Sequence, residues 1–125
     1  MAFVHHVIDV LNYSASTLDA QAIAHLATAD CRACEAIVTR TNKIRQAGGR
    51  IVGGAWTPVE STALGTGNTG ERQVQVVVDY APQKVLETTD ADVIRHPGGR
   101  TVYTFDVERH GSKWRLQGVQ GVAQG

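Results

Sequence analysis

The sequence predicts an α+β fold: three N-terminal helices packed on a bent antiparallel sheet of four to six strands, laid out as a cone-shaped roll. Three observations carry this. Apolar residues recur at three- and four-residue spacing through the first 48 residues, after Gly49 the chain changes to alternating segments separated by turn signals, and all of the helical pattern precedes all of the strand pattern. That order argues against a parallel α/β sheet. A bent sheet must cover its concave apolar face with the helices, and imperfect closure between them leaves a pocket.

The first helix is expected from Phe3 to Ser14, where Phe3, Val4, Val7, Ile8, Val10 and Leu11 form a broad apolar arc and His5, Asp9 and Asn12 a narrow polar face. His6 and Tyr13 fall on one flank of the arc beside Val10, so both rings either border a cavity or hold their polar tips in water. Ser16 to Asp19 break the pattern, and Thr17 or Asp19 is placed to cap a shorter helix from Ala20 to Ala27 that buries Ile23 and Leu26. Asp30 is the expected cap of the third helix, which then begins at Cys31. Cys34, Ile37, Val38, Thr41 and Ile44 form its inner stripe, while Arg32, Glu35, Arg40 and Arg45 fall on other faces. Gly48 and Gly49 mark its end, preceded by Lys43 and Arg45 in the last turns, where cations suit the helix dipole.

Cys31-x-x-Cys34 admits several readings. A thioredoxin-like redox motif needs a preceding strand, but the preceding segment reads as helix. Zinc needs about four ligands, and no second ligand pair completes a site. The expectation is a structural disulfide clipping the first helical turn in an oxidising compartment, with two partly buried free thiols as the alternative.

Beyond Gly49, Arg50 to Leu64 is an extended region interrupted by Gly53-Gly54 and Pro58, where a bend, bulge or edge is expected. Residues 65–70, GTGNTG, read as a loop. Glu71 to Tyr80 sets Val74, Val76, Val78 and Tyr80 on one face in a clean period of two. Lys84 to Glu87 and Val93 to His96 form a small hairpin. Arg100 to Arg109 and Lys113 to Val119 form another, turning at His110-Gly111-Ser112. Residues 1–120 make one domain and 121–125 a frayed tail.

Composition excludes several function classes. Lys plus Arg balances Asp plus Glu at 12 each, so no global field draws the protein to nucleic acid or to an anionic membrane. Hydrophobic content of 42% and charged content of 19% exclude wholesale disorder. No apolar run approaches a membrane span, and the N-terminus lacks the basic-then-apolar layout of a signal peptide.

The run from Phe3 to Trp56 combines Leu11-Asn12-Tyr13 on the first helix, Asp30-Cys31-x-x-Cys34, a Gly48-Gly49-Arg50 turn and a Gly53-Gly54-x-Trp56 strand. This combination resembles an uncharacterised domain of actinobacterial lipoproteins. The second half matches in strand pattern and in a closing element formed by Gly111, Lys113, Trp114 and Arg115. The resemblance implies a fold of the nuclear transport factor two-like (cystatin-like) type and attachment outside the cytoplasmic membrane through a lipidated cysteine upstream of this sequence. It establishes no activity. Without it, a cytoplasmic location is the alternative.

The residues expected to line the cone are His6, Val10 and Tyr13 from the first helix, with Trp56, Tyr80, Tyr103, Phe105 and Trp114 from the strands. Ketosteroid isomerase-like chemistry needs a pocket tyrosine, for which Tyr13 is the candidate, and a carboxylate base. The strand after the third helix, Arg50 to Gly54, offers no carboxylate; Asp79, Asp106 and Glu60 remain, of which Asp79 and Asp106 are out of phase with their strands' apolar faces. His5, His6 and Asp9 read as a solvated face and not as a metal site, and GTGNTG lacks the lysine of a phosphate loop. No cofactor is expected. The leading expectation is a non-enzymatic extracytoplasmic module binding a small apolar ligand or an envelope protein. A pocket enzyme using Tyr13 is the alternative, and a homodimer through an apolar outer face at Val77 and Val102 is a third possibility.

Overall fold

The computed structural model describes residues 1–66 and 70–122. Three helices lead, α1 (Ala2–Thr17), α2 (Gln21–Leu26) and α3 (Arg32–Gln46). Seven strands follow among the described residues: β1 (Gly48–Gly53), β2 (Trp56–Thr66), β3 (Glu71–Tyr80), β4 (Gln83–Thr88), β5 (Ile94–His96), β6 (Gly99–His110) and β7 (Lys113–Gly121). All the strand pairings are antiparallel. The bend is complete enough to divide the strands into a four-stranded sheet, β2-β3-β6-β7, and a three-stranded one, β1-β4-β5.

Three boundaries differ from the sequence reading for physical reasons. α1 runs one turn further, because the Ser16 and Thr17 hydroxyls donate back to the Tyr13 carbonyl at 3.1 and 2.8 Å. It stops at Leu18, a left-handed residue whose N–H closes onto the Ser14 carbonyl at 2.8 Å. Asp19 does take part in starting α2, accepting from the Gln21 N–H at 3.1 Å. Asp30 does not cap α3. Cys31 and Cys34 are joined in a disulfide, and Cys31 itself occupies the cap position, its sulfur accepting from the Cys34 N–H at 3.2 Å. Gly121, assigned to the tail, instead pairs with Tyr103 at the end of β7. Of the glycine-rich loop, residues 67–69 lie outside the described residues, as do 123–125 of the tail.

Strand alternation builds the core. Val74, Val76 and Val78 of β3 are buried, as are Phe105 and Val107 of β6 and Leu116 of β7. α1 lays Val4, Val7 and Ile8 over them, α2 adds Ile23, and the disulfide closes the cluster. On the convex side Val77 faces Val102, but their neighbours are the Gln75–Thr104 pair and the ion-paired Asp79 and Arg100. That face is largely polar and gives no apolar support to a dimer there.

Between β1 and β2 the chain crosses from one sheet to the other. Gly53 and Gly54 both take positive φ, 75° and 80°, and a Cβ on Gly53 would collide with the Pro82 carbonyl. Immediately after this bend, Asn12 of α1 grips the backbone of Trp56 at both groups. Its Nδ2 donates to the Trp56 carbonyl at 2.9 Å and its Oδ1 accepts from the Trp56 N–H at 2.8 Å. Because β2 is an edge strand, a helix side chain here takes the place of a neighbouring strand. Asn12→Ala leaves both backbone groups without a partner. It is expected to cost about 2 kcal/mol and to lower Tm by roughly 6–10 °C; Asn12→Asp, which keeps the acceptor only, should fall between. An unchanged Tm for Asn12→Ala would show that the grip is dispensable.

Candidate functional site

The bend that Asn12 secures opens a cavity of about 180 Å³ between α1, α3 and the start of the two sheets. Its apolar walls are Leu11 and Ala15 of α1, Ile37 of α3, Ile51 of β1 and the Trp56 ring. Asn12, Ser14, Arg40, Thr41 and Gln83 complete it. The Ser14 side chain is buried and its Oγ has no hydrogen-bond partner among the described residues. Arg40, Gly54, Trp56 and Gln83 also line an outer hollow of about 400 Å³, which Tyr80, Ala81, His96 and Pro97 complete. The two concavities therefore share a wall.

Trp56 is held from behind as well as along its backbone. Tyr103 stacks on it with ring centroids 4.5 Å apart and 18° between planes, and Tyr103 meets Phe105 edge-on at 6.4 Å. Phe105 is fully buried, so the indole rests on an aromatic row rooted in the core.

The structure places the expected cavity residues in four different environments. Trp56 lines the cavity and the hollow, and Tyr80 lines the hollow. Tyr103 and Phe105 stand behind the wall. Val10 and Trp114 pack against the core, and the guanidinium carbons of Arg72 and Arg109 sit 5.9 and 5.8 Å from the Trp114 ring centre. Neither His6 nor Tyr13 lines the cavity. His6 is exposed, and Tyr13 is 48% exposed with its hydroxyl donating to Asp19 Oδ2 at 3.2 Å. The reason is the turn of α1: the helix presents Leu11, Asn12, Ser14 and Ala15 to the cavity, and position 13 points instead toward Asp19 of the α1–α2 connection.

No carboxylate lines the cavity or the hollow. Asp79 pairs with Arg100 on the convex face at 2.6 and 3.0 Å, a hydrogen bond that holds its carboxyl below the usual value, and Asp106 accepts from Gln73 at 2.8 Å. A carboxylate base reaching a molecule in the cavity is therefore absent among the described residues, and besides Arg40 the titratable side chains nearest it are Tyr80 and His96 of the hollow. The described residues also contain no cluster of three or more His, Cys, Asp or Glu side chains placed to hold a metal ion. What the cavity offers is apolar contact and a cationic rim. Sequence reasoning passed over Asn12, Arg40, Ile51 and Gln83, the first two because their local pattern puts them on polar helix faces. The one available signal was Gly53-Gly54 before Trp56, which marks a bend beside a large aromatic.

Burial raises the Tyr103 pKa above the ordinary tyrosine value, with the neighbouring Tyr80 adding to it. Its folded state favours the neutral phenol, so its contribution is fully present below the unfolded pKa of about 10. That contribution is lost as pH rises through the folded value. Tyrosinate absorbance is expected to show one phenol titrating late, and Tyr103→Phe should remove that phase and flatten the loss of Tm above pH 10. Absence of any late phase, or its persistence in Tyr103→Phe, would contradict the stacked, half-buried ring.

Searches against known proteins agree with this architecture. The intermembrane space region of the chloroplast protein ARC6 superposes with a TM-score of 0.72 at 10% identity, over 97% of this chain and 92% of that one. An uncharacterised protein with a cystatin-like fold from Caulobacter vibrioides gives 0.59 at 13% identity, over 96% and 87%. A variant of Rd1NTF2_05 gives 0.52 at 10% identity, over 96% of each chain. At these identities the likeness shows the fold, of the cystatin-like and nuclear transport factor two-like type. No curated protein matches the sequence. A family model described as a family of unknown function, DUF6318, matches residues 1–120, and the chain belongs to that family.

Proposed function

We propose that this domain is a non-enzymatic, extracytoplasmic binding module that takes a small apolar group into the cavity beside Trp56. The observation that carries the reading is the cavity itself: half-enclosed, about 180 Å³, walled by Leu11, Ile37, Ile51 and Trp56, with no carboxylate in its lining. An engineered apolar cavity of about 150 Å³ stays dry and takes up benzene, so this one suits a phenyl-sized group. The disulfide between Cys31 and Cys34 supports a location outside the reducing cytoplasm. A lipid anchor upstream of the sequence belongs to the same reading.

An envelope protein partner is the second reading. It is favoured by the outer face of the β1-β4-β5 sheet, where exposed Val52 and Val93 stand beside Arg50 and Lys84 around a cleft of about 80 Å³.

Native mass spectrometry beside a denatured spectrum tests the reading directly, since a bound molecule appears as an extra mass that denaturation removes. Ile37→Phe is expected to fill the cavity and abolish uptake of a phenyl-sized ligand while the protein stays folded. Tyr13→Phe is expected to leave binding unchanged, because Tyr13 lies outside the cavity. Retained binding in the first variant, or lost binding in the second, would move the site elsewhere. In protein isolated under non-reducing conditions from its own host, both cysteines should alkylate only after reduction. Alkylation without reduction would contradict the extracytoplasmic location.

A further inference from the structure

We infer that the cavity and the adjoining hollow form one site for a small amphiphilic anion, a phenyl-sized apolar group carrying a carboxylate. The inference rests on the binding-module reading and goes further in naming the ligand's chemistry. The inner chamber is mostly apolar and the outer hollow mostly polar, and the residues common to both are Arg40, Gly54, Trp56 and Gln83. A ligand spanning them has an apolar end against Ile37, Ile51 and Trp56 and a polar end at the level of Arg40.

Charge selects the sign of that polar end. Arg40 is exposed on α3 and has no carboxylate within ion-pair distance among the described residues, whose ion pairs are Arg100–Asp79 and His110–Glu108. Tyr80, Gln83 and His96 surround the same hollow and bring hydrogen-bonding groups, and no Asp or Glu lines it to attract a cation. Arg40 also lines a broad outer groove, which carries Asp30, Glu35 and Glu87 together with Arg32 and Lys43, so the charges there are mixed. The hollow is where Arg40 faces no acidic lining. A guanidinium fork matches one carboxylate in a bidentate pair, and such a pair gains strength beside a wall that excludes water.

The test uses the full chain, labelled with nitrogen-15 and titrated at pH 7.5 with phenylacetate and, separately, with 2-phenylethanol, following the Trp56 indole N–H. Phenylacetate is expected to bind at least tenfold more tightly than the neutral alcohol. Arg40→Gln should reduce phenylacetate affinity about tenfold and leave the alcohol unchanged, Arg40→Lys should fall between, and Ile37→Phe should abolish both. Equal affinities for acid and alcohol, abolished by Ile37→Phe, would overturn the anionic class while leaving the binding-module reading standing. Acid binding indifferent to Arg40→Gln would overturn Arg40 as the anchor. Binding of neither compound to the wild-type chain would overturn both the inference and the reading beneath it.

Discussion

The paired hydrogen bonds between Asn12 and the Trp56 backbone are the constraint on which the cavity depends. Their partners are 44 residues apart, and they join the first helix to the point where the chain has just left the smaller sheet for the edge of the larger one. An edge strand has unpaired backbone groups, and a short amide side chain with one donor and one acceptor satisfies both at once. The same contact sets the distance between α1 and β2. With the Trp56 backbone fixed in front and Tyr103 stacked behind, the indole becomes a stationary wall and does not collapse into the space beside it.

Two further devices make that constraint possible. Gly53 and Gly54 turn the chain sharply enough to present Trp56 to α1, in a conformation that side chains tolerate poorly. On the opposite flank, the disulfide fixes the start of α3, which contributes Ile37 and Arg40 to the cavity. Its closed loop is short, so in the loop-closure model it contributes only about 2 kcal/mol. It restrains the first turn of a helix that the buried stripe of Cys34, Thr41 and Ile44 already holds against the sheets.

Much of the fold was legible in the sequence because it rests on local periodicity. Val74, Val76 and Val78 alternate so regularly that β3 occupies the residues expected of it, Glu71–Tyr80, and the hairpins around His110 and between β4 and β5 follow from turn chemistry. The order of helices before strands was enough for the α+β class. The site was less legible, because its residues come together through long-range geometry. Asn12 and Arg40 have ordinary solvent-facing positions in their helical patterns, and only the bend at Gly53-Gly54 brings the first against a backbone and the second over a hollow. Tyr13 shows the converse: its chemistry drew attention in the sequence, whereas in the fold it is half exposed, bonded to Asp19 and outside the cavity's lining.

Amide hydrogen exchange at Trp56, followed by NMR in the wild-type chain, tests the central claim most directly. Exchange protection reports whether an amide is held in a closed hydrogen bond. The Trp56 N–H has no strand partner on its open side, so protection well above that of an exposed edge-strand amide is the result expected if Asn12 holds it. Exchange as fast as in an open strand edge would mean that the grip does not form in solution, and the account of a fixed cavity wall would fall with it.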